Sequence, residues 1–238
     1  MKILIAGYGF VGKAHYEVLK FKHDVFVNDP QLGYTNSYDD ADAVIVCVST
    51  PPNAGGGCHM DNVFEVIEAA PDVPILIKST ISVEGWRMLA ETFPDRQISF
   101  SPEFLRAATA VEDMQNMDLM LIGGNSCCFW RDVFGVNIEV AEPEELVLAK
   151  YARNSFLALK VAFFNQMYDL CDALDVEYDA VAHYTTMDER IGDSHSFISK
   201  ERGFGGHCFP KDMNALIKTA QRDNVELSLL NEALDYNK

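Results

Sequence analysis

The sequence predicts an α/β protein: a parallel sheet covered on both faces by helices, followed by a long helix and a small all-helical domain. Three observations carry that expectation. Short apolar runs alternate with amphipathic stretches from the first residues to about residue 140. The runs are apolar throughout rather than alternating, as strands buried on both faces must be. From Pro143 onward the strand-like runs cease and an apolar pattern of helical period takes over.

Taken in order, Ile3–Ala6, Val25–Asn28, Val44–Val48, Ile75–Ile77, Ile98–Phe100 and Leu119–Ile122 read as strands. Val11–Phe21, Asn62–Ala70 and Val83–Phe93 fall between them as helices. From Glu144 to about Leu174 no helix breaker occurs, and Leu148, Ala152, Phe156, Leu159, Phe163, Met167, Leu170 and Leu174 recur every three or four residues. Such a helix is roughly 45–50 Å long. That exceeds what one small domain needs, so it reads as a spine joining two domains or two subunits. From Tyr178 to Lys238 shorter helices surround the loop Gly203-Phe204-Gly205-Gly206. The predicted domains are residues 1–141 and 142–238.

With 238 residues and 48% apolar content, a sizeable core is feasible. Lys and Arg number 19 against 36 Asp and Glu, a formal charge of −17. That balance argues against nucleic acid and anionic membranes as partners, which need a basic face. A small anionic ligand needs only a local positive cluster. The cysteines at 47, 58, 127, 128, 171 and 208 lack zinc-ligand spacing, so no metal site is expected. Met1-Lys2 runs directly into strand-like Ile3-Leu4-Ile5, without a signal-peptide pattern. No apolar run reaches the length of a membrane span. The expected setting is therefore reducing and cytoplasmic.

Gly7-Tyr8-Gly9-Phe10-Val11-Gly12 follows a strand and opens a helix, and Asp29 ends the next strand. In that context Gly7 permits the tight turn, Gly9 lets backbone approach a pyrophosphate, and Gly12 allows close helix–sheet packing. Phe10 and Val11 begin the helix whose N-terminus stabilises phosphate charge. Asp29 can accept hydrogen bonds from ribose hydroxyls and repels a 2′-phosphate. The expectation is a Rossmann-type domain that prefers NAD to NADP.

Two further features carry chemistry. In Gly203-Phe204-Gly205-Gly206-His207-Cys208-Phe209-Pro210-Lys211-Asp212, Pro210 suits a first helical turn, so Cys208 falls just before a helix N-terminus. The helix dipole and Lys211 there favour a thiolate. Read on this physics, a nucleophilic and a structural cysteine both stay open. Lys150 and Asn154 stand four apart on one face of the long helix. A cation and an amide donor there suit a developing oxyanion, and equally a solvated helix face.

The chain resembles the UDP-glucose/GDP-mannose dehydrogenase family along essentially its whole length. The resemblance rests on the glycine turn, Val48-Ser49-Thr50-Pro51-Pro52, Lys78-Ser79-Thr80, Ser101-Pro102-Glu103-Phe104-Leu105, Lys150-Tyr151-Ala152-Arg153-Asn154, Asp188-Glu189-Arg190-Ile191-Gly192 and the Gly203–Asp212 loop. It implies NAD-dependent oxidation of a nucleotide-sugar C6 alcohol to a carboxylate, through a cysteine thioester, with two NAD per turnover. Carried over, Cys208 is the nucleophile, and Lys150 and Asn154 stabilise oxyanions. Asp212 and Thr80 hold the catalytic water, and Glu103 is the general base for thioester hydrolysis. Thr50 and Thr80 line the cofactor, while Phe104, Leu105 and Gly205 contact the sugar nucleotide. Arg190 reaches the substrate diphosphate across a subunit interface, which implies a homodimer formed through the helical region.

Two positions depart from the family pattern: Ala107 replaces a second glutamate, and Gln166 stands where a glutamate is usual near Asn165. The resemblance also implies a short form, since full-length members continue with a third domain that covers the nucleotide of the substrate. The wording Asp-x-Arg-Ile-Gly and Cys-Phe-Pro-Lys-Asp is closer to UDP-glucose members than to UDP-N-acetylmannosamine ones. Two alternatives differ in kind. A β-hydroxyacid dehydrogenase also joins such a domain to a helix with lysine and asparagine, but its single oxidation needs no nucleophilic cysteine. A non-catalytic dimer that binds NAD is the other.

Overall fold

The strands read from continuous apolar runs form the middle of one eight-stranded sheet in a computed structural model, which describes residues 1–52, 57–206 and 208–237. His207, within the glycine-rich loop, lies outside the described residues. The strands are β1 (Lys2–Ala6), β2 (Asp24–Asp29), β3 (Tyr34–Thr35), β4 (Ala43–Val46), β5 (Ile75–Ile77), β6 (Ile98–Phe100), β7 (Leu119–Gly124) and β8 (Asn137–Val140), in the spatial order β3-β2-β1-β4-β5-β6-β7-β8. β1 pairs in parallel with β2 and β4, and the parallel ladder continues through β5 to β6. β8 pairs in parallel with β7. Two pairings run antiparallel, β2 with β3 and β6 with β7. The α/β class expected from the sequence is thus present, with a mostly parallel sheet.

Helices α1 (Phe10–Leu19), α2 (Asp61–Ala69), α3 (Val83–Thr92), α4 (Ala110–Gln115) and α5 (Cys127–Phe134) intervene along the chain. Ile3, Ile5, Ile45 and Leu76 from the sheet pack with Ala14 and Leu19 of α1, Met114 of α4 and Trp130 and Phe134 of α5. Trp130 is wholly enclosed. α3 starts where the Ser82 hydroxyl accepts from the Gly85 N–H at 3.0 Å. A cavity of about 610 Å³ is lined by Trp86, Phe93, Arg96, Val140 and Glu145, among others. It lies toward the start of β6 and the ends of β7 and β8, away from the glycine turn.

α6 (Pro143–Ala173) is one unbroken helix of 31 residues. Pro143 opens it with a preset φ. Glu144 and Glu145 in its first turn complement the positive end, and the Glu142 N–H donates to Glu145 Oε2 at 3.2 Å. Two compact units divide inside this helix: Met1–Ala54 with Cys58–Lys150 form the first, and Tyr151–Lys238 make up nearly all of the second.

In the second unit α7 (Tyr178–Thr186), α8 (Phe209–Arg222) and α9 (Ser228–Tyr236) accompany the remainder of α6. Ala158 and Ala162 of α6 pack with Phe204, Met213 and Ile217, and with Leu230 and Ala233 of α9. Phe164 and Cys171 instead join Tyr178 of α7. Small residues on one seam let helices approach closely, and larger ones fill the other. Among the described residues, no helix is long and apolar enough to cross a membrane.

Candidate active site

In the first unit, strand order reverses between β1 and β4, the position where open α/β sheets bind ligands. The glycine turn stands there. Gly7 has φ +92°, and a Cβ on it would lie 2.6 Å from the Cys47 carbonyl oxygen. A Cβ on Gly12 would lie 2.1 Å from the Gly7 carbonyl oxygen, so α1 could not pack this closely with any side chain. Nothing lies within 4 Å of a Cβ placed on Gly9. α1 follows, with Phe10 exposed and Val11 part-buried, with no acidic residue in its first turn and no side-chain cap on Gly9. Open space, N–H groups without a side-chain cap and a first helical turn free of acidic residues make a cradle for a pyrophosphate.

Asp29 ends β2 as expected, and its carboxylate is already in use. Oδ2 accepts from the Tyr8 N–H at 2.7 Å and Oδ1 from the Leu32 N–H at 3.3 Å. It ties the glycine turn to β2, and a carboxylate keeps lone pairs for a ribose. These residues fit a dinucleotide.

Thr50 is buried, and its hydroxyl donates to the Thr80 carbonyl at 2.6 Å. The Thr80 hydroxyl in turn accepts from Lys150 Nζ at 2.8 Å. Lys150 is 6% exposed and carries its ammonium from α6 to the C-terminal side of β5. The structure therefore brings Thr50, Thr80 and Lys150 together.

Glu103 belongs to the same unit but is more heavily engaged than a free base. Oε1 accepts from the Phe104 and Leu105 N–H groups at 2.8 and 3.1 Å. Oε2 stands 3.1 Å from Lys78 Nζ. Burial pushes this carboxyl up, but the Lys78 ammonium, helped by Lys150, outweighs burial and holds it below the usual carboxylate range. Sequence reasoning assigns Lys78 no role, although it leaves a signal. A lysine directly after three apolar strand residues places a charge where it is buried only with a partner. Phe104 and Leu105 are part-buried, and Ala107 is exposed.

In the second unit, Cys208 is the exposed N-cap residue of α8, with Pro210 in the first turn. One turn on, Asp212 is wholly buried. Asn154 Nδ2 donates to Asp212 Oδ2 at 2.6 Å, and Lys211 Nζ stands 2.8 Å from Oδ1. Asn154, Asp212 and Lys211 thus form one network at the start of the helix that Cys208 caps. Nothing lies within 4 Å of a Cβ placed on Gly205, so the loop presents open backbone there. Two asparagines hold the preceding stretch. Asn165 Oδ1 accepts from the Gly203 N–H at 3.0 Å, and Asn237 pairs both of its amide atoms with the backbone of Phe204 at 2.6 and 2.7 Å. Neither asparagine stands out in the sequence, because an amide in a helix or just past its end carries no local pattern. Arg190 is exposed and spends its guanidinium on Asp188, at 2.5 Å.

A mostly parallel sheet with an open glycine turn and a helix N-terminus at its reversal point defines a dinucleotide-binding protein of Rossmann type. The chain belongs to the UDP-glucose/GDP-mannose dehydrogenase family. Residues 27–128 match the NAD binding domain of that family and residues 144–238 match its central domain. NAD is accordingly the cofactor of the first unit. UDP-glucose 6-dehydrogenase of Rickettsia conorii is 34% identical over 221 residues, covering 86% of this chain and 51% of that relative. The enzyme of the same name from Rhizobium meliloti is 34% identical over 239 residues, covering 87% of this chain and 53% of the relative. The chain thus spans about half the length of the curated relatives it matches. A solved UDP-glucose dehydrogenase from Pyrobaculum islandicum superposes with a TM-score of 0.84 at 26% identity, over 99% of this chain and 67% of the other.

Proposed function

We propose that this chain carries the catalytic machinery for NAD-dependent oxidation of a nucleotide-sugar C6 alcohol to the carboxylate, with UDP-glucose to UDP-glucuronate as the preferred case. The observation that carries the reading is Cys208 at the cap of α8, one turn before a buried carboxylate held by Asn154 and Lys211. When bound, NAD accepts the hydride in each of two successive oxidations. Cys208 Sγ adds to the C6 aldehyde left by the first, forming a thiohemiacetal. The second oxidation leaves a thioester, and water releases the carboxylate and restores the thiol. Lys150 and Asn154 stabilise the oxygen anions along this path. Asp212 and Thr80 orient the water, and Glu103 takes its proton. Phe104, Leu105 and Gly205 contact the sugar nucleotide. On this reading Arg190, exposed and paired with Asp188, exchanges that partner for the substrate diphosphate of a second copy.

The reading includes a homodimer formed through residues 142–238. Phe156, Phe163 and Leu170 of α6, and Leu174 just past its end, are 67%, 52%, 49% and 63% exposed, a stripe that water does not favour. The test is NADH formation with UDP-glucose, followed to completion. Two NADH per sugar support the four-electron reaction. NAD binding without NADH at millimolar sugar nucleotide overturns it in favour of a non-catalytic NAD-binding protein.

A further inference from the structure

We propose that Lys78 is a positioning residue for Glu103, a buried ammonium that fixes the direction of this carboxylate and keeps it ionised for the hydrolytic half of the reaction. The inference rests on the functional reading above, in which Glu103 takes the proton of the attacking water.

The geometry begins with β5, whose residues are all fully enclosed. Lys78 continues that line into the interior at 5% exposure. An ammonium there must be paired and hydrogen-bonded, because its desolvation is otherwise uncompensated. Its partners all come from one short segment after β6. Nζ donates to Ser101 Oγ at 3.0 Å and to the Pro102 carbonyl at 3.4 Å, and stands 3.1 Å from Glu103 Oε2. One side chain thus pins three consecutive residues. Glu103 Oε1 folds back on the N–H groups of Phe104 and Leu105, so the pair also sets the path of the residues assigned to the substrate.

The charged and titratable groups facing Glu103 come from three other elements. Lys150 reaches it from α6, and His15 from α1. The Cys47 thiol, just after β4, lies in the field of the same pair. His15 is fully enclosed, and burial drives it down to about 4, so it is neutral at working pH. The Cys47 thiol is pushed up by burial and adds no charge. Lys78 therefore supplies the principal counter-charge, and removing it leaves burial to dominate.

The test compares the unmodified chain with Lys78→Met and with Lys78→Met/Glu103→Gln, by denaturation across pH and by the pH profile of turnover. With Lys78 present, Glu103 contributes stability above the ordinary carboxylate value, lost as pH falls through its depressed one. In Lys78→Met the sign reverses: burial raises Glu103, so its contribution is present at low pH and lost as pH rises. The double variant, which buries neither charge, should be the more stable of the two at pH 8. In turnover, Lys78→Met should move the acid limb to higher pH and lower kcat at pH 6 by at least about tenfold, with NAD affinity unchanged. Stability and turnover profiles that superpose on those of the unmodified chain would overturn the proposal. If the chain oxidises no sugar nucleotide, the functional reading falls. An unreversed stability slope instead removes Lys78 from its role even in an active enzyme.

Discussion

Individual side chains give the sharpest tests. Cys208 is exposed while Cys47 is half-buried and Cys171 is buried, so iodoacetamide should modify Cys208 before either of them, as peptide mapping would show. Cys208→Ser should block the second oxidation by at least about a hundredfold while NAD titrates normally. Unchanged turnover in that variant would remove the covalent mechanism. At Asp29, charge and scaffold can be separated. Asp29→Asn keeps an acceptor for the Tyr8 N–H, which lies 2.7 Å from the carboxylate, and removes the repulsion of a 2′-phosphate. The unmodified chain should bind NAD at least about tenfold better than NADP, and Asn should narrow that gap by calorimetry. His15 supplies a pH test. It is held neutral by burial, down to about 4, whereas an unfolded histidine titrates near 6.5. Its contribution is present above pH 6.5 and is lost as pH falls toward 4, a change of about 3 kcal/mol. His15→Phe, beside Phe134 in the same core, should flatten stability across that window in urea melts. The glycines of the turn, and Cys208 at the start of α8, are legible in the sequence because each is marked by a local backbone pattern. Lys78, Asn165 and Asn237 are not, because their partners lie far away along the chain.

Among the elements, those made of continuous apolar runs are legible and the edge elements are not. β1, β2, β4, β5 and β6 all lie within a residue or two of apolar runs. β3 is two exposed residues and β8 is largely exposed, so neither shows a buried run. α4 and α5 are short, and a single turn or two leaves little helical period to detect. The antiparallel direction of β7 is also invisible, because a fully apolar strand reads the same in either direction. The long helix covers the range its apolar period predicts, with most of that stripe exposed rather than packed, and it carries its own test. Phe156, Phe163 and Leu170 recur every seven residues on α6, the spacing of a seam between paired helices. Phe156→Glu/Phe163→Glu should convert a dimer into a 26.6 kDa monomer by light scattering. A monomeric unmodified chain at micromolar concentration would contradict the dimer.

At the scale of the whole molecule, the two units differ in their chemistry as well as their secondary structure. One holds the sheet and the glycine turn, and the other holds Cys208 and the buried Asp212. The apolar pattern changes at Pro143, which is where the sequence puts the division. Compactness divides the chain after Lys150, inside α6, because the first turns of that helix pack with the sheet unit. The enclosed Trp130 has a consequence of a different kind. The chain has two tryptophans, and both Trp86 and Trp130 lie in the first unit. Indole fluorescence is therefore a private optical channel for the sheet unit, while circular dichroism at the helical band reports both units together, since each carries a similar share of helix. NAD should raise the midpoint of the fluorescence-detected melt, and any interval between the two optical curves would measure how far the units share one cooperative transition.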